Sequence, residues 1–269
     1  MDVHFFSTAN DFSYVFYLAV MSALKTQNAG SVNLWVTERS EDRYFKLLEH
    51  VQGVNIQNVV IPNLKATIDK PEDSLALLGV RHAHLKDLLG WTVLYEQGGV
   101  LLDLDTFCLQ DMCQLVEEKE VAVCVSTTWR FGPSLFPFNN AMVVARPKSV
   151  VIKEALEESI QALSRDIDES FMWGISGPMA LSNAVHKNYH LVNFLRPGSF
   201  GVMVEELSSS VIDLYKEEAN LAEGTKAVHL YASTYRKVLA TMDSEFISGS
   251  NILYARLVKQ TLDEKEWLI

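Results

Sequence analysis

The chain has 269 residues, of which 48% are hydrophobic and 21% charged, enough to bury a sizeable core in one globular unit. Thirty-four acidic side chains against 23 basic ones leave a net charge of −11, and no Lys/Arg-rich run offsets it. Such a surface gains nothing from counterion release, which argues against nucleic acid as a partner. The three cysteines, Cys108, Cys113 and Cys124, match neither zinc-ligand nor C-x-x-C redox spacing and read as free thiols. The apolar stretch "YVFYLAVMSAL" (residues 14–24) is too short to span a bilayer and follows no basic segment. These features predict a cytoplasmic enzyme, or a catalytic domain cut from something larger, with no signal peptide or membrane span in the chain as given.

In chain order, "VHFF" (residues 3–6) reads as a short buried strand. Asn10 and Asp11 offer N-cap chemistry for a helix running to about Lys25. "SVNLWVTE" (31–38) is β-rich, "EDRYFKLLEHV" (41–51) has helical spacing, and "VNIQNVVIP" (54–62) is β-rich again. Alternation of strand and helix predicts a parallel sheet, the opening of a nucleotide-binding α/β fold. Residues 63–78, charged and containing Pro71, read as loop. "HAHLKDLLGWTVLYEQ" (82–97) is helical, with Leu85, Leu88, Leu89, Thr92, Val93 and Gln97 on one side; Gly98 and Gly99 stop it. A strand is expected over 100–104 and others over 121–126 and 141–146. Helices are expected over 150–164, 177–186 and within 251–267.

The stretch "GGVLLDLDT" (98–106) places two carboxylates, Asp103 and Asp105, at the end of an apolar run. Residues two apart in a strand share a face, roughly 6.5–7 Å apart along the chain. Ligands of open α/β sheets bind at the carboxyl ends of strands. Two carboxylates there suit a hard divalent cation, which in turn can bridge a nucleotide diphosphate. A bare D-x-D is short and common, and the same pair could simply cap a turn into residues 106–111.

The longer run "KDLLGWTVLYEQGGVLLDLDT" (86–106) resembles the signature of glycosyltransferases with a DXD sugar-binding region, such as yeast-type mannosyltransferases, globo-series galactosyltransferases and large glucosylating toxins. Asp87, Leu94, Tyr95, Gly98, Gly99, Asp103 and Asp105 fall in register with it. "VHFFS" (3–7), "NNAMVVARP" (139–147), "SGP" (176–178) and "AVHLY" (227–231) resemble further family segments in the same order. Gly90 stands where the family usually has Arg, and Leu101 where it has Tyr; Lys86 or Arg81 offer a replacement charge.

The resemblance implies a GT-A nucleotide-diphospho-sugar transferase fold of the α/β class, a mostly parallel central sheet flanked by helices. Residues 1–269 would form a single catalytic domain, with 1–106 as the nucleotide-sugar half and 107–269 as the acceptor side with a C-terminal helix. It implies a hexosyltransferase that uses Mn²⁺ or Mg²⁺ and moves sugar from a UDP- or GDP-linked donor to an acceptor hydroxyl with retention. Asp103 and Asp105 would be the catalytic centre and, with His229, the metal ligands. Phe6, Ser7, Asp87, Asp103 and Asn140 would contact the donor.

Each assignment has a plainer counterpart. Asp87 also reads as a solvated helix charge, His229 as a half-buried hydrogen-bonded histidine, and Asn140 as the satisfied end of a strand. His82 and His84, two apart on a helix, diverge and make a poor metal pair. Trp91, Trp129 and Trp173 read as core or rim, with acceptor stacking open to the last two; the acidic run 165–170 reads as a solvated loop. Two other functions remain open. "VLLDLDT" also resembles the nucleophile strand of haloacid-dehalogenase-type phosphatases, although the second paired-aspartate motif of that family is missing downstream. The departures at Gly90 and Leu101 suit a non-catalytic descendant that binds nucleotide sugar.

Overall fold

A computed structural model describes residues 1–8, 11–59, 82–125, 137–163, 174–196 and 212–269. Expectations at Asn10, Arg81, Trp129 and Trp173, and over 63–78 and 165–170, lie outside the described residues.

The β-rich opening segments form β1 (Val3–Ser7), β2 (Val32–Val36) and β3 (Val54–Asn58), connected through α1 (Tyr14–Thr26) and α2 (Arg43–Leu48). Both strand pairings are parallel, as the alternation of elements requires. The cap of α1 corrects the sequence expectation: Ser13, not Asn10 or Asp11, sits at N-cap and accepts from the Phe16 amide. Asp11 instead pairs with Arg236 at 3.1 Å. A serine hydroxyl next to the first turn reaches the orphan amides that a residue two positions upstream cannot.

Helix α3 (His82–Gln97) has the bounds that the sequence pattern gives. The Gly98 amide donates to the Leu94 carbonyl with φ +66°, and Gly99 follows with φ +112°. Both are left-handed conformations that glycine adopts without steric cost. The chain then turns straight into β4 (Gly99–Leu102), which pairs in parallel with β1.

The buried side of α3 differs from the expected one. Leu88 and Leu89 are buried as expected, but His84, Asp87, Trp91 and Leu94 are buried with them, whereas Thr92 and Val93 are half-buried and Gln97 is exposed. The apolar pattern does not include His84 and Asp87, which turn inward because partners on other elements satisfy them.

Strands β6 (Val121–Val125), β7 (Phe138–Ala145) and β8 (Val192–Leu195) complete a seven-stranded sheet among the described residues, in the order β3-β2-β1-β4-β7-β6-β8. β7 runs antiparallel to both β4 and β6, and the other pairings are parallel. Side-chain alternation divides the core between the two faces. Phe5, Leu102 and Met142 pack with α1 on one face. Phe6, Leu101 and Val143 pack on the other with α3, α4 (Val150–Leu163) and α5 (Ala180–Lys187). The predicted 177–186 helix divides into a π-turn at Ile175–Met179, which contains Pro178, and then α5.

A second, two-stranded ladder pairs β5 (Thr106–Cys108) antiparallel with β9 (Ala227–His229). Four helices follow: α6 (Ala232–Leu239), α7 (Ser244–Gly249), α8 (Leu253–Thr261) and α9 (Glu264–Trp267). The single helix expected within 251–267 is thus two, broken where Asp263 starts a new capping box with Glu266. All three cysteines are free thiols, Cys108 and Cys124 buried and Cys113 partly so. Among the described residues no helix is long and apolar enough to cross a membrane.

Candidate functional site

The two aspartates do not converge in the way their spacing suggests. β4 ends at Leu102, and residues 103–105 form a turn closed by the Thr106 amide on the Asp103 carbonyl at 2.9 Å. The chain then enters β5 rather than the loop expected there. The turn, not strand alternation, brings the carboxylates together.

The third partner arrives through the small ladder. Thr106 lies opposite His229, so pairing of β5 with β9 sets the imidazole beside the turn. His229 Nε2 is 3.1 Å from Asp105 Oδ1 and 3.7 Å from Asp103 Oδ2. One ligand atom from each of Asp103, Asp105 and His229 lies within 4.8 Å of the others. Asp105 Oδ2 also accepts the Ala232 amide at 2.6 Å, at the start of α6, and its carbonyl accepts the Leu230 amide. Tyr231, between these two donors, has φ +52°, a strained conformation for a bulky residue that aims the next amide at Asp105. Its ring lies 4.1 Å from that of His229. The sequence reading did not single out Tyr231; a positive φ at a non-glycine residue leaves no mark in composition.

Burial alone would raise the Asp105 carboxyl, but the His229 charge and hydrogen bond and the Ala232 amide outweigh it and hold the group below the usual carboxylate range. Burial works against charge on His229 too, yet Asp105 and Asp103 lift its pKa above the ordinary value. Two oxygen donors and an imidazole suit a borderline-hard divalent ion such as Mn²⁺, and Mg²⁺ less closely. The donor set and its convergence therefore fit a cation.

Lys86, on the second turn of α3, already meets this cluster. Its ammonium hydrogen-bonds Asp103 Oδ1 and lies 3.8 Å from Asp87 Oδ1. Burial opposes the charge, but the carboxylates prevail and hold its pKa above the ordinary lysine value. In the sequence Lys86 stands out, with Arg81, as a replacement charge for the arginine missing at Gly90.

Asp87 continues into a buried polar network. Its Oδ1 accepts from Asn140 Nδ2 and its Oδ2 from Ser176 Oγ, each at 2.8 Å. Since the Ser176 proton goes to Asp87, His84 Nδ1, 2.6 Å from the same oxygen, must be the donor to it. A Cβ on Gly177 would fall 2.5 Å from Asn140 Nδ2 and 2.6 Å from Asp87 Oδ2, so only glycine admits the network there. The solvated-charge reading of Asp87 is thereby corrected, as the residue is buried. Trp91 is core, with its indole donating to the Ser176 carbonyl. Ser176 and His84 escaped the site prediction because an apolar period cannot register buried polar partners 92 positions apart.

Phe6 and Ser7 close β1 beside the Asp103 turn, one and two residues beyond the Phe5–Leu102 pair. Both are buried, and the Phe6 ring stacks on Trp35 at 6.1 Å. The two departures from the glycosyltransferase pattern touch each other. A Cβ on Gly90 would lie 2.8 Å from Leu101 Cδ2, so α3 approaches β4 at the spot where a longer residue 90 would have to displace Leu101.

Burial pushes the Asp87 carboxyl up from 3.8 to about 6, against the pull of Lys86, Ser176 and Asn140. A folded-state pKa above the unfolded one contributes stability that is complete below the unfolded pKa and lost as pH rises through the folded one. Asp87→Asn lacks that dependence. Between pH 4 and 7, wild type is therefore expected to lose roughly 2 kcal/mol relative to the variant, at 1.36 kcal/mol per pKa unit. Urea unfolding at both pH values checks this, and an unchanged gap would contradict it.

Neither a protein-family model nor a curated protein matches the sequence. In structure the chain is similar to the PaToxG glycosyltransferase, at 17% identity over 70% of this chain and 69% of that one, with a TM-score of 0.50. It is similar to the galactosyltransferase LgtC, solved in complex with donor and acceptor sugar analogs, at 10% identity over 92% and 99%, also at 0.50. The bifunctional glycosyltransferase WbbM matches at 13% identity and TM-score 0.51, over 97% of this chain and 51% of its own. The shared architecture is the GT-A fold.

Proposed function

We propose that the protein is a metal-dependent glycosyltransferase that moves a hexose from a UDP- or GDP-linked donor to an acceptor hydroxyl. The observation that carries this reading is the convergence of Asp103, Asp105 and His229 at the carboxyl end of β4, in a fold shared with sugar transferases. Asp103, Asp105 and His229 hold Mn²⁺ or Mg²⁺, which when bound neutralises charge on the leaving diphosphate. The Ala232 amide and the β5–β9 ladder hold Asp105 and His229 in place before donor arrives, so these two ligands need little rearrangement.

Phe6 and Ser7 flank the donor's nucleoside end, as the close of β1 lies beside the turn. Asp87 and Asn140 orient sugar hydroxyls, with Ser176 and His84 fixing the Asp87 carboxylate. Residues 1–106 form the donor half of one catalytic unit, and 107–269 contribute His229 and the acceptor side. Transfer proceeds with retention, the acceptor attacking on the face that the diphosphate leaves.

The test is to incubate the protein with a panel of UDP- and GDP-sugars, with and without Mn²⁺. A matched donor is expected to yield intact nucleoside diphosphate and free or transferred sugar of retained anomeric configuration. Inorganic phosphate as product, or a phosphoaspartate trapped at Asp103, would overturn the proposal in favour of phosphoryl chemistry. Inversion would overturn the stereochemical part alone.

A further inference from the structure

We infer that Lys86 is the resident cation of the carboxylate site and that its displacement couples divalent metal and nucleoside diphosphate into joint binding; the inference rests on the metal-site reading above. Both oxygens of Asp103 are engaged: Oδ1 holds the Lys86 ammonium, and Oδ2 faces His229 Nε2 at 3.7 Å. A divalent ion on Asp103 and Asp105 would share a carboxylate with a like charge. The Lys86 side chain is 19% exposed and that of Asp103 21%, so water screens this repulsion only in part.

Metal arriving alone must expel the ammonium from its main partner, and the other carboxylate within 4 Å of it among the described residues, Asp87, is 3.8 Å away and already holds two hydrogen bonds. A part-buried charge stripped of its partner is costly. Metal arriving with a diphosphate meets no such obstacle, because the phosphate oxygens accept both the divalent ion and the displaced ammonium. A lysine suits the exchange, since its charge rides on a flexible four-carbon stem with three rotatable donors. The device makes the affinities reciprocal: each ligand tightens the other by the same factor.

The experiment is calorimetric titration of Mn²⁺ into wild type, Lys86→Met and Lys86→Arg, each alone and with saturating UDP or GDP. Wild type is expected to bind Mn²⁺ weakly alone and about 100-fold more tightly with nucleotide, near the upper end of ordinary coupling. Lys86→Met should bind Mn²⁺ alone at least about tenfold more tightly than wild type and gain much less from nucleotide. Lys86→Arg, which keeps the charge, should retain most of the coupling. Thermal unfolding supplies a second readout should Lys86→Met be less stable: Mn²⁺ alone should raise its midpoint, whereas wild type should need nucleotide as well. Equal Mn²⁺ affinity for wild type and Lys86→Met, or undiminished coupling in Lys86→Met, would overturn the inference and leave the metal site standing. Failure of every variant to bind Mn²⁺ with or without nucleotide would overturn both.

Discussion

Asp105→Asn is expected to reduce sugar transfer at least about 1,000-fold, the scale of losing a group that holds charge at the reacting centre. Three features make this carboxylate harder to replace than its neighbour. It is 8% exposed, it accepts the Ala232 amide through one oxygen and faces His229 through the other, and its charge holds the imidazole in place. An asparagine of the same shape has one acceptor and one donor, so it must point an N–H at either the amide or the ring. The ring can then accept that N–H only as the neutral tautomer protonated at Nδ1, so the charge-assisted bond is lost, at about 1–3 kcal/mol in folding. The activity loss should therefore far exceed the stability loss. Transfer assays with a matched donor, paired with urea unfolding, separate the two. Wild-type turnover by Asp105→Asn with metal chelated would remove the metal-site reading.

The largest effect on folding is expected at a residue that touches no ligand. Gly99→Ala should cost about 2–4 kcal/mol, combining a forbidden backbone conformation with overpacking. Gly99 has φ +112°, outside the region open to alanine. A Cβ there would strike the Asp2 carbonyl and fall 2.8 Å from His4 Nε2. Neither neighbour yields easily. The Asp2 carbonyl accepts the Val100 amide that joins β1 to β4, and His4 is buried with its imidazole on the Gly98 carbonyl at 3.0 Å. Relief requires β4 to shift against β1, and β4 carries the Asp103 turn. Chemical denaturation should show the loss of stability, and Mn²⁺-with-nucleotide affinity should fall in the protein that remains folded. A variant with unchanged urea midpoint would mean that the helix-to-strand turn tolerates the side chain.

The sequence by itself determined the features whose cause is local. The bounds of α3 follow from a sixteen-residue helical pattern stopped by two glycines, because the chain needs positive φ at Gly98 and Gly99 to leave the helix and start a strand at once. The parallel β1-β2-β3 unit follows from alternating strand and helix composition. Asp103 and Asp105 were legible as chemistry because two charges ending a buried apolar strand have few structural uses. Only the tertiary structure decided how that chemistry is assembled. The aspartates meet through a turn that no periodicity marks, and His229, which the family resemblance names, reaches them only because a three-residue strand pairs across more than a hundred positions. Asp87 and His84 face inward because Asn140 and Ser176 are there to satisfy them. Burial of a polar group depends on partners that chain folding supplies, and the same holds for the ammonium of Lys86 on Asp103. Hydrophobic spacing records which residues avoid water, whereas a site of buried charges is specified by which distant groups compensate one another.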